Sequence, residues 1–108
     1  DLIGTADVIL GDLINSRGMQ LRKALTGAKG DENESKYGAI TVTASLAEPP
    51  LEFREGCAAE LFISCEGLKN LDLLSKSDPM CVVGQRAGGL FMEVGRTEIK
   101  QDDLNPVF

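Results

Sequence analysis

The chain has 108 residues, enough for one domain that buries its own core, and its 43% hydrophobic, 5% aromatic composition without Trp is that of a folded protein rather than a disordered one. Formal net charge is -6 with no His, which argues against any binding mode that rests on a basic field alone, whether to nucleic acid or to a membrane. An acidic module can still bind an anionic surface when a cation bridges the two, and that route stays open.

Residues 1–10 alternate, with Ala6, Val8 and Leu10 on one face and Thr5, Asp7 and Ile9 on the other, the period of a strand. A helical turn over 12–16 and a strand over 19–24 follow. Residues 27–36 are polar and glycine-rich and read as an exposed loop. Its acids Asp31, Glu32 and Glu34 read as a solvated tip, because no glycine turn stands at the spacing of an EF-hand loop.

The clearest strand is 37–46, where Ile40, Val42 and Ala44 point inward and Thr41 and Thr43 outward. Pro49 and Pro50 then stop any ladder, so 47–57 reads as a linker. The pattern restarts with Leu61, Ile63 and Cys65 on one face and Phe62 and Ser64 on the other. Further strands are expected over 80–85 and 90–99, joined by a turn at Ala87, Gly88 and Gly89, with a last turn at 100–103.

Cys57, Cys65 and Cys81 are odd in number and lack metal-ligand spacing; with no signal peptide in view they read as reduced thiols of a cytosolic protein. No apolar run has the length of a bilayer-crossing helix. The chain starts without Met and stops inside a pattern, so both ends read as cut. With no His, no nucleophile elbow, no phosphate-binding glycine loop and no base near Ser75 or Ser77, the expectation is that this segment is not an enzyme.

Between the strands at 61–65 and 80–85 lies Leu71-Asp72-Leu73-Leu74-Ser75-Lys76-Ser77-Asp78-Pro79. Two carboxylates six residues apart in a short polar turn suit a hard cation such as Ca2+, which takes six to eight oxygens at about 2.3–2.6 Å. Two carboxylates are too few, so other ligands must come from elsewhere. This run, followed by Gly95-Arg96-Thr97-Glu98 and Leu104-Asn105-Pro106-Val107-Phe108, resembles the first half of a C2 domain, and within that superfamily the copines.

The resemblance implies an all-β, antiparallel Greek-key β-sandwich of C2 type. Residues 1–46 are similar to the C-terminal strands of one C2 domain, 47–57 to a linker, and 58–108 to the N-terminal half of another. The pieces thus stand in back-to-front order: either a window across a tandem pair, or both halves permuted into one sandwich, or a sequence with residues missing. Asp1-Leu2-Ile3-Gly4 resembles the end of the third calcium loop. The implied metal ligands are therefore Asp72, Asp78 and Asp1, with Asp102 and Asp103 solvated and away from the first loop.

The implied function is calcium-dependent binding to anionic phospholipid membranes, with Leu73 and Leu74 contacting the membrane and Ca2+ as cofactor. The chain is then expected to be cytoplasmic, and peripheral at the membrane when calcium is bound. The alternative is a calcium-independent protein-interaction module.

Overall fold

The computed structural model describes residues 2–47, 58–71 and 75–108. Leu10–Asn15 forms helix α1, followed by a 3-10 turn at Arg17–Met19 and strand β1, Gln20–Ala24. Helix α2 is the single turn Glu34–Tyr37. Four strands come next: β2 Ala39–Ala47, β3 Ala58–Glu66, β4 Val82–Ala87 and β5 Leu90–Arg96. Two antiparallel sheets result, one in the order β1-β2-β3 and one a β4-β5 hairpin. The protein is mostly β.

Strand β2 is the spine of the larger sheet. It pairs with β1 from Gln20↔Thr43 to Ala24↔Ala39 and with β3 over nine positions, including Val42↔Ile63. The two halves of the chain therefore share one sheet. The alternation in β2 does the expected work: Val42 and Ala44 are buried with Leu13 of α1, and Val8, Met19, Leu21 and Ile40 pack around them. A second cluster forms from Leu25, Tyr37 and Leu68, with Ile3, Cys65 and Leu104 against it. Ile40 touches both clusters, so the two small cores are continuous.

Residues 2–9 do not form a strand. Only Thr5 enters a ladder, exchanging two 2.8 Å backbone hydrogen bonds with Thr26. The alternation of this stretch is satisfied by packing instead, since Ala6 and Val8 lie against the second and first cores respectively. Leu10 belongs to α1 and is exposed.

Tyr37 likewise falls in α2 rather than at a strand start. The Asn33 side chain caps that turn, its Oδ1 accepting from Lys36 N at 3.2 Å, and Gly38 ends it at φ 98, a conformation costly for any residue with a Cβ.

The hairpin turns through Gly88 (φ 58) and Gly89 (φ 80), the two positive dihedrals that a two-residue turn matched to strand twist requires. It stands apart from the larger sheet across an apolar cleft of about 740 Å³, with Leu13, Val42 and Ile63 on one wall and Val82, Phe91 and Val94 on the other. The Arg86–Asp7 ion pair, 3.6 Å, joins two residues of its lining. Leu90, Met92 and Val94 are each about two-thirds exposed, so β5 has little of the chain packed upon it. The extents of 52 × 28 × 27 Å and the 15.3 Å radius of gyration reflect this; about 13 Å is usual for this length.

Residues 104–108 close the free edge of β3. Cys65 N donates to Pro106 O at 2.9 Å, and Phe108 N to Ile63 O at 3.0 Å. Pro106 is fully buried there.

Candidate functional site

The loop between β3 and β4 is built around Ser77, the one buried polar residue among the described residues. Its Oγ accepts from Leu71 N at 2.8 Å and donates to Asn70 Oδ1 at 3.2 Å. Asn70 Nδ2 in turn donates to Ser75 O at 3.1 Å. These bonds tie the entering limb, residues 70–71, to the leaving limb, residues 75–77. Burying a hydroxyl is tolerated because both its donor and its acceptor capacity are used.

The leaving limb is held from its other side by the turn at 100–103. Lys100 N donates to Pro79 O (3.0 Å) and Asp103 N to Ser77 O (3.2 Å). Asp78 itself is exposed, and its Oδ1 accepts from Asp102 N at 2.8 Å. Asp102 sits at φ 50, in the left-handed region that Asp tolerates better than most residues. Asp103 Oδ1 accepts from Asn105 N at 2.9 Å, which turns the chain toward the buried Pro106. Thr97 extends the same pairing toward the hairpin, its Oγ1 accepting from Cys81 N and its own N donating to Cys81 O, each at 2.8 Å.

Asp102 and Asp103 are therefore not remote from the first loop. Asp102 is solvated as expected, but its backbone contacts the Asp78 carboxylate, and Asp103 is half-buried beside Ser77. A contact across 24 residues between two turns leaves no periodic trace in the sequence. Ser77 leaves no such trace either; its hydroxyl locks the loop's neck.

Of the residues singled out for calcium, Asp78 lies in this arrangement. Asp1 and Asp72, like the membrane-contact residues Leu73 and Leu74, lie outside the described residues, as does Cys57. Among the described residues no three acidic, His or Cys side chains are gathered as a metal would need. Asp78 presents its remaining carboxylate oxygen to solvent, a hard ligand of the kind that Ca2+ takes. One carboxylate does not make a site, and completing it needs donors from residues outside this set.

A second charged feature lies near the base of this loop. Lys29, Lys36 and Lys69 line a recess of about 160 Å³ with Tyr37, Leu2 and Ile3. The Tyr37 hydroxyl sits 2.9 and 2.8 Å from the two carboxylate oxygens of Asp31, and this bond holds the Asp31 carboxyl below its usual range. Arg22 of β1 bridges Glu34 of α2 and Glu66 of β3. The Cys65 thiol is pushed up to about 12 by burial, with nearby Cys81 adding to it. No described helix is long and apolar enough to cross a membrane.

No protein-family model matches the chain, and no solved structure matches it. Among curated proteins, Copine-B from Dictyostelium discoideum is 39% identical over 71 residues, which is 64% of this chain and 12% of that protein. Protein BONZAI 1 from Arabidopsis thaliana is 38% identical over 52 residues, 47% of this chain and 9% of that protein. The chain thus spans about a tenth of the length of these relatives.

Proposed function

We propose that this chain is part of a copine-like C2 module that binds calcium and, through it, anionic phospholipid membranes. The observation that carries the reading is the 39% identity to Copine-B over 71 residues, taken with the Asp78 carboxylate held at the neck of a loop whose sequence carries two carboxylates. In this reading the two sheets facing each other across the apolar cleft belong to an antiparallel Greek-key sandwich.

Asp78 and Asp72 are the ligands from the first loop and Asp1 a ligand from the third. Calcium supplies positive charge at the loop tip and coordination positions for lipid phosphate oxygens. Leu73 and Leu74 enter the headgroup region, each contributing about 1.5–3 kcal/mol at full burial. The protein is then cytoplasmic and peripheral at the membrane when calcium is bound.

The reading is tested by calorimetric calcium titration of the chain and of its Asp72→Asn, Asp78→Asn double variant, followed by sedimentation with phosphatidylserine vesicles. Saturable binding abolished by the double substitution, with pelleting only in calcium, is the expected result. A folded chain that binds no calcium up to millimolar concentration overturns it. The second reading, a calcium-independent protein-interaction module, would then lead; it is favoured by the exposed apolar strand Leu90, Phe91, Met92 and Val94.

A further inference from the structure

We propose that Lys29, Lys36 and Lys69 form a calcium-independent phosphate-binding pocket floored by Tyr37, taking a phosphate group that is either free or the exposed end of a lipid headgroup. The three lysines come from separate places: the turn after residue 27, helix α2, and the segment following β3. None stands on a strand. Tyr37, which is 5% exposed, lies beneath Lys36 and Lys69 and lines the same recess as Lys29.

Its ring is fixed at several points. The hydroxyl is bonded to Asp31, the main-chain oxygen accepts from Lys69 N at 3.3 Å, and the ring lies where a Cβ on Gly27 would be 2.2 Å from Cζ. Lys36 Nζ and Lys69 Nζ lie 5.1 and 5.7 Å from the ring centroid, within the range at which the π cloud attracts an ammonium. The ring thus holds two cations close to one recess without neutralising them.

The charge balance leaves room for an anion. Asp31 is 4.0 Å from Lys36, and its carboxylate is also occupied by the Tyr37 hydroxyl. Lys29 and Lys69 form no ion pair among the described residues. Among the described residues, three ammoniums line the recess and Asp31 is the one carboxylate in an ion pair with any of them, a positive spot on a chain of net charge -6.

Size and geometry choose the ligand class. A recess of about 160 Å³ is smaller than the roughly 300–1,000 Å³ of pockets for whole organic ligands. It has the scale of one oxyanion group. Three separate ammonium donors suit an anion that offers oxygens in several directions, as tetrahedral phosphate does and planar carboxylate does not. The inference does not rest on the calcium reading, because none of its residues belongs to that ligand set.

The test is an amide NMR titration of the whole chain with inorganic phosphate, in EDTA and at constant ionic strength. Saturable shifts at Lys29, Lys36, Tyr37 and Lys69 are expected, lost in Lys29→Gln, Lys36→Gln, Lys69→Gln and kept in the distant Lys100→Gln. Loss of one lysine is expected to weaken binding about fivefold, the worth of one near-surface charge contact. Acetate is expected to bind at least about fivefold more weakly than phosphate on the same argument.

Sedimentation with phosphatidate vesicles in EDTA separates the two sources. Pelleting lost in the triple variant assigns a lipid headgroup, and saturable shifts without pelleting assign free phosphate. Non-saturating shifts, shifts retained in a folded triple variant, or equal binding of acetate overturn the proposal. All are read without calcium, so failure here is distinct from failure of the calcium titration.

Discussion

Replacing Asp78 by Asn and, separately, by Ala divides the two roles that its side chain combines. One Asp78 oxygen accepts the Asp102 N–H at 2.8 Å and so supports a residue at φ 50. Asn keeps an acceptor in that place and removes only the charge; Ala removes both. A hydrogen bond of this kind is worth about 0.5–1.5 kcal/mol net, and the exposed position, where water replaces the lost partner, puts Asp78→Ala near about 1 kcal/mol. For a domain of this size that lowers the melting temperature by about 4–8 °C. Asp78→Asn should lower it by less than about 2 °C on the same scale. Calcium affinity responds to the charge instead, so both variants should lose at least about tenfold. Thermal melts in EDTA paired with calcium calorimetry provide the two readouts. If Asn destabilises as much as Ala, the acceptor argument fails. If Asn binds calcium as the parent does, Asp78 is not a ligand.

Two glycine substitutions that look alike should differ. A Cβ at Gly27 meets Tyr37 Cζ at 2.2 Å and one at Gly84 meets Phe91 Cζ at 2.1 Å, but Tyr37 is pinned while Phe91 is 58% exposed and free to swing outward. Urea unfolding should give a loss of about 1–3 kcal/mol for Gly27→Ala and within about 0.5 kcal/mol for Gly84→Ala; equal losses would refute the distinction. The Cys65 thiol, raised from 9.0 to about 12, keeps its proton longer in the folded state than in the unfolded one. Its contribution to stability is therefore complete below pH 9 and is lost as pH rises from there toward 12. Iodoacetamide at pH 8 should modify Cys65 far more slowly in the native chain than in urea, as read by peptide mass spectrometry. A native rate equal to the denatured one would contradict the raised value.

The sequence shows faces more clearly than partners. Ile40, Val42 and Ala44 were legible as an inward row because alternation is dictated by burial, and the clusters around Leu13 and Tyr37 include all three or their neighbours. The same rule misled at residues 2–9, where Ala6 and Val8 do face the cores but only Thr5 finds a ladder partner. Alternation reports which side is wet, not whether another backbone lies alongside. Strand β5 ends at Arg96 rather than 99, since beyond it the backbone pairs through single bonds at Thr97 and Lys100. At the candidate site, the carboxylate at Asp78 was legible from loop composition, whereas its contact with Asp102 and the Ser77 clamp depend on which turns the fold brings together. Asp1, Asp72, Leu73, Leu74 and most of the expected 47–57 linker lie outside the described residues.

The docking of residues 104–108 on β3 has a consequence in time. Strands β2 and β3 are neighbours in the chain and can zip within about 1–10 μs, as hairpins do. The bridge between Ser64 and Val107 must instead close a loop roughly four times longer, at an added entropic cost of about 1.2 kcal/mol. The far edge of the sheet is thus secured late, and until then Ile63 and Cys65 present unpaired backbone groups to any strand that passes. A refolding chain at high concentration meets that edge before its own Pro106 has covered it, which makes dilution the condition under which this protein refolds best.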